Sequence, residues 1–183
     1  MKGKNQKIRL YGDPILREKT KPVKKIDNAI KKLITDLKTT MLAQDGAGLA
    51  ANQIGETVSI FVFNPRGTGV DQDPVAIINP EIVGSEGKGE REEACLSLPG
   101  IVEVLSRPSK VEIRGRSEDW KKIELTGLGI LARAFQHEID HLNGIFFIDR
   151  LSLTRQRMLK SKLDEIAAMV NSEIKSHSKK KHK

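Results

Sequence analysis

The sequence predicts an α+β domain: antiparallel strands packed around a central helix able to hold a metal, with further helices toward the N- and C-termini. Three observations predict it. Ile30, Leu33, Ile34, Leu37 and Met41 form one amphipathic helical stripe. From residue 58 a run of short β-branched or alternating segments follows, separated by Gly, Pro, Asp and Ser. Two more helical stripes then close the chain, and helices grouped around a run of strands make an α+β arrangement.

In order, Tyr11-Gly12-Asp13-Pro14 reads as a turn in an otherwise irregular opening. Asp27 is placed to cap the first helix, which should end near Asp45-Gly46. Strands are expected over 58–63, 76–83, 102–104, 110–113 and 122–125, with a mobile loop over 67–73. A helix over 129–142 shows Leu131, Phe135, Glu138 and Leu142 at helical spacing, with Asn143-Gly144 as its stop. A short strand is expected over 145–148. The last helix carries Leu159, Leu163, Ile166 and Val170. It frays into a basic, disordered tail over 172–183, leaving one catalytic domain over 1–171.

Composition bounds the function. The chain of 183 residues is 38% hydrophobic and 4% aromatic, enough for one real core. No apolar run approaches the roughly 20 residues that a membrane-spanning helix needs. The lysine-rich start is followed by no hydrophobic segment, so no secretory signal is expected. Cys95 is the single cysteine, which excludes an internal disulfide and fits a reducing compartment. With no transit peptide visible, a bacterial cytoplasm is expected. Beyond Arg150 lie nine Lys/Arg and three acids, +6 of the net charge of +8.

The chemistry gathers at His137-Glu138-Ile139-Asp140-His141, an H-E-x-x-H pattern. Two histidines four apart stand one turn above each other on a helix, where one ion can take both imidazoles with the glutamate alongside. A core helix whose histidines merely hydrogen-bond their neighbours would show the same five residues. A catalytic site wants a third protein ligand. His177 and His182 lie in the tail with no scaffold, so Cys95 is the better candidate, although a lone cysteine is more commonly a small buried hydrophobe. Upstream, Gly46-Ala47-Gly48-Leu49-Ala50-Ala51-Asn52-Gln53 is rich in small residues, where backbone can approach something closely. No strand is read before it and no third glycine completes a dinucleotide fingerprint, so a nucleotide loop is excluded.

Three stretches, residues 46–53, Glu93-Ala94-Cys95-Leu96-Ser97, and Gln136 with the H-E-x-x-H residues, stand in the order and approximate spacing of the signature motifs of peptide deformylases. The stretch Tyr11-Gly12-Asp13-Pro14-Ile15-Leu16-Arg17 is similar to that family's beginning, and the resemblance covers residues 8 to about 165. It implies a metal-dependent hydrolase that removes the formyl group from the N-terminal formyl-methionine of new polypeptides. It implies Cys95, His137 and His141 as metal ligands and Glu138 as general base and acid. The Gln53 amide and the Leu96 backbone N–H are implied as oxyanion donors, a kind typically worth about 3 kcal/mol each. Gly46, Ala47, Gly48 and Ala94 are implied as substrate-binding. Ala94 stands where the family usually has glycine and Ala47 where it usually has a larger aliphatic residue, which bears on peptide preference and rate.

The implied ion is ferrous iron, with zinc, nickel or cobalt also able to occupy such a site; ligand chemistry alone would favour zinc. The implied partners are nascent formyl-Met polypeptides and, through the basic tail, the ribosome. Neither a membrane nor DNA is expected as a partner. Two other classes stay open from the residues. A zinc peptidase of the H-E-x-x-H kind would usually take a carboxylate or histidine as third ligand. A basic RNA-binding protein with a structural metal would close its site with four protein ligands, and no fourth is visible. A zinc deaminase lacks its second cysteine here.

Overall fold

A computed structural model of the chain describes residues 2–68 and 72–180. Among the described residues are seven strands and three long helices: α1 (Asn28–Ala43), β1 (Gly48–Ala50), β2 (Ile60–Phe63), β3 (Val75–Glu86), β4 (Gly89–Ala94), β5 (Val102–Arg107), β6 (Lys110–Arg116), β7 (Lys122–Leu128), α2 (Ile130–Leu142) and α3 (Leu153–Lys180). An antiparallel five-stranded sheet has the order β1-β2-β3-β6-β7, and β4 and β5 pair separately as a two-stranded sheet. This is the α+β architecture expected. Among the described residues no helix is long and apolar enough to cross a membrane.

The five-stranded sheet is covered on both faces, and β2 shows how. Its four residues are all buried. Because strand side chains alternate, Ile60 and Val62 pack with Leu37 and Met41 of α1, while Phe61 and Phe63 pack with Phe135 of α2. The ring centroids of Phe63 and Phe135 lie 5.0 Å apart, edge to face. Helix α1 starts where Asp27 Oδ1 accepts the Ile30 N–H at 3.0 Å. Helix α2 stops at Asn143, and Gly144 takes the left-handed conformation (φ 73°). A third cluster joins Leu159, Leu163 and Ile166 of α3 to Leu98, Ile101, Leu105 and Phe146.

Four expectations need correction. Residues 48–50 form an edge strand on β2, whereas strands are expected only from residue 58. Strand β4 is new: its one buried residue is Glu93, so no apolar alternation marks it. Residues 145–148 form no strand. Phe147–Arg150 is a 3-10 turn, and Asp149 Oδ2 accepts the Phe146 N–H at 2.8 Å where a ladder partner would stand. Helix α3 runs past 172 to Lys180, with no Gly or Pro to break it and with Glu173 paired to Lys7. Of the loop expected over 67–73, Pro65–Thr68 is a 3-10 turn and residues 69–71 lie outside the described residues, as do 181–183 of the tail.

Candidate metal centre

Two elements deliver the donors. Strand β4 ends at Ala94 and releases Cys95 into a turn closed by the Leu98 N–H on the Cys95 carbonyl, at 2.9 Å. Helix α2 presents His137 and His141 one turn apart. The ligand atoms of Cys95, His137 and His141 lie within 4.8 Å of one another, and all three residues are buried. Cys95 Sγ and His141 Nε2 stand 3.1 Å apart. His137 Nδ1 lies 2.7 Å from Glu93 Oε1, which leaves its Nε2 free for the centre. Toward the sulfur point the Ser97 N–H at 3.4 Å and the Gln53 amide Nε2 at 3.7 Å, as a thiolate would favour.

The donor set fits a divalent transition metal: one soft thiolate and two imidazoles, drawn together on buried residues. Among the described residues no other His, Cys, Asp or Glu joins the group, as in a site that keeps a position open for chemistry. Burial pushes both histidines down, but the bonds from Cys95 and Glu93 carry His137 well above its ordinary value. His141 stays well below its own, held there by burial and by the His137 charge.

Glu138 stands beside the three donors, 4% exposed. Its Oε2 has no hydrogen-bond partner, and burial together with the Glu93 and Asp140 charges raises its carboxyl to about 7, although His137 pulls the other way. Facing it is Gly48 of β1: a Cβ there would lie 2.5 Å from Glu138 Oε1. The close approach for which the small residues at 46–53 are suited is therefore made to Glu138.

A cavity of about 370 Å³ opens over this group. Gly46, Ala47 and Gly48 line one side and Glu92 and Ala94 another, with the Leu96 side chain reaching Gly46; Gln53, Cys95, His137 and Glu138 line it too. Gln53 is fixed at both ends of its amide, its Oε1 accepting the Ala50 N–H at 2.9 Å and its Nε2 donating to Ser97 Oγ at 3.2 Å. His141 does not line the cavity and lies beneath it, 1% exposed.

Sequence reasoning missed the charged residues behind the donors. Glu93 accepts from Arg107 (Nη2 at 2.6 Å, Nε at 2.9 Å) and from Arg133 (Nη1 at 2.8 Å), besides holding His137. Burial raises the Glu93 carboxyl, but the His137 and Arg107 bonds hold it well below the usual range. Arg107 also donates to Asp140 Oδ2 at 2.8 Å, and Arg150 Nε to the same oxygen at 2.7 Å. Asp140 thus faces arginines, not the donors. Breaking such a buried pair from one side typically costs about 3–5 kcal/mol. Glu93 lies inside the quoted motif and was open to notice; Arg107 and Arg133 reach it from 14 and 40 residues away with no local signal.

Three buried donors, a neighbouring acid and an open cavity define a metal-dependent hydrolase class of centre. Comparison with known proteins gives the family. Residues 5–157 match the family described as Polypeptide deformylase. The peptide deformylase of Halothermothrix orenii is 45% identical over 152 residues, 83% of this chain and 97% of that one; that of Syntrophobacter fumaroxidans is 44% identical over 162 residues, 86% and 95%. The crystal structure of a Legionella pneumophila peptide deformylase superposes with a TM-score of 0.83 at 40% identity, covering 91% of this chain and 97% of that chain. The chain belongs to the polypeptide deformylase family.

Proposed function

We propose that this chain removes the formyl group from the N-terminal formyl-methionine of newly made polypeptides, with Glu138 moving the proton. One observation carries the reading: the donor atoms of Cys95, His137 and His141 converge within 4.8 Å beside Glu138, whose Oε2 is buried and unpartnered. A divalent ion held by those three residues would supply Lewis-acid chemistry at the cavity floor and acidify water there. We assign it as ferrous iron by family resemblance, with zinc, nickel or cobalt as alternatives.

Glu138 takes the proton of the attacking water and returns it to the departing amine, within reach of both because Gly48 leaves it room. The Gln53 amide, held in place through Ala50 and Ser97, and the Leu96 backbone N–H stabilise the developing oxyanion. Gly46, Ala47 and Gly48 on one side and Ala94 on the other border the slot for the peptide backbone. The basic residues from 172 onward strengthen association with ribosomal phosphate, and the enzyme works in a bacterial cytoplasm.

The test is formate release from a formyl-Met tripeptide by protein purified anaerobically, with bound metal measured on the same sample. The expected result is formate from the formylated peptide, none from its acetylated counterpart, and loss of activity on chelation that added ferrous iron restores. Metal-loaded protein that cleaves internal peptide bonds and releases no formate would place it among the peptidases instead.

A further inference from the structure

We propose that Arg133 is a positioning residue that sets the distance between the two walls of the cavity. The walls have different foundations. Gly46, Ala47 and Gly48 run into β1, which is laddered into the five-stranded sheet. Glu92 and Ala94 belong to β4, and β4 and β5 share no ladder with that sheet. Two-residue connections, 87–88 and 108–109, join β4 and β5 to β3 and β6, and beyond them side-chain links set how the second wall lies against α2.

Arg133 lies on α2 one turn before His137, and its side chain, 12% exposed, lines the cavity between the walls. One guanidinium nitrogen, Nη2, donates to the Gly89 carbonyl of β4 at 2.9 Å and to the Leu105 carbonyl of β5 at 3.0 Å, gripping the backbone of both strands. The other, Nη1, donates to Glu93 Oε2 at 2.8 Å, on the inward face of β4. Arg107 makes a link of the opposite sense, from β5 to Asp140 of α2. Without Arg133 the small sheet keeps the His137–Glu93 and Arg107–Asp140 links and the Gln136 amide on the Pro108 carbonyl, but the Gly89 and Leu105 carbonyls lose their donor on α2. The stretch of the wall from Gly89 to Glu92 then loosens, while Glu93 and the adjoining Ala94 and Cys95 stay anchored beside His137.

This inference rests on peptide deformylation in this cavity, and it predicts a particular kinetic split. Arg133→Met keeps the side chain's bulk and removes every donor. For a formyl-Met tripeptide, KM should rise roughly tenfold, about 1.4 kcal/mol of binding lost to the loosened wall, with kcat within about threefold. Metal bound per chain should equal that of the unaltered protein. Amide hydrogen exchange over residues 89–107 should quicken while that of 60–63 and 110–128 does not. Arg133→Lys, keeping the charge and part of the grip, should lie between, and it carries the same test if the Met variant does not fold. Unchanged KM would overturn the proposal. So would a loss of metal, which would show Arg133 acting through Glu93 and His137. Absence of formate release by the unaltered protein would strike the functional reading instead, and hydrogen exchange would still report on Arg133.

Discussion

Gly48→Ala tests the link between the small-residue stretch and the acid on α2. The added Cβ would lie 2.5 Å from Glu138 Oε1, 2.8 Å from its Cγ and 2.9 Å from its Cδ. The backbone is not the obstacle, because Gly48 is absent from the positive-φ glycines and alanine suits its strand conformation. To restore ordinary contact at 3.4 Å the carboxylate must retreat by about 0.9 Å. It cannot simply swing to solvent, since Glu138 is 4% exposed. A displacement of roughly 1 Å in a catalytic group costs about 100-fold in rate.

The expected result is a kcat about 100-fold lower with metal content unchanged, because Gly48 touches none of the three donors among its nearest neighbours. Gly48 also lines the cavity, so the variant could slow turnover by crowding the peptide. Combining it with Glu138→Ala separates the two causes. If Gly48→Ala acts through Glu138, the double variant is no slower than Glu138→Ala alone; if it acts on the peptide, the losses add. Additive losses, or a kcat within about threefold of the unaltered enzyme, would refute the assignment of Gly48 as the residue that seats Glu138.

Cys95→Ala should lose metal and activity together; full metal occupancy in that variant would remove Cys95 from the ligand set. Glu138→Ala should keep the metal and lose nearly all turnover, whereas Asp140→Asn should cost less turnover but destabilise the fold by about 1.5–3 kcal/mol, because Arg107 and Arg150 lose a charged acceptor. Denaturant midpoints beside kcat would expose a reversed ranking. Deleting residues 172–183 should leave turnover of a short formyl-Met peptide unchanged, since Val170 is the last buried apolar residue of α3 and the lost Lys7–Glu173 pair is exposed. The same deletion should weaken ribosome co-sedimentation at low salt, and undiminished co-sedimentation would count against a docking role.

What could be read from the sequence was what chain neighbours decide. The Asp27 cap, the Asn143-Gly144 stop and the pairing of His137 with His141 depend on residues a turn apart, so spacing carried them. Strand β4 was invisible because Glu93, its inward residue, is charged. Its burial makes sense only once Arg107 and Arg133 arrive from distant strand and helix. Residues 145–148 show the opposite failure. An apolar run fits a buried strand as well as a turn, and the deciding bond comes from Asp149, just beyond it. Glu138 and Asp140 show the limit most clearly. On a helical wheel they flank the histidine pair about equally, so periodicity cannot rank them, and only reach favoured Glu138. Tertiary closure separates them by neighbours: Glu138 meets a glycine 90 positions upstream and keeps an unpartnered oxygen beside the donors. Asp140 is taken up by two arginines. Asp140, committed to ion pairs with Arg107 and Arg150, serves the scaffold, and the unpartnered oxygen of Glu138 beside the donors is what supports its proposed role in moving a proton.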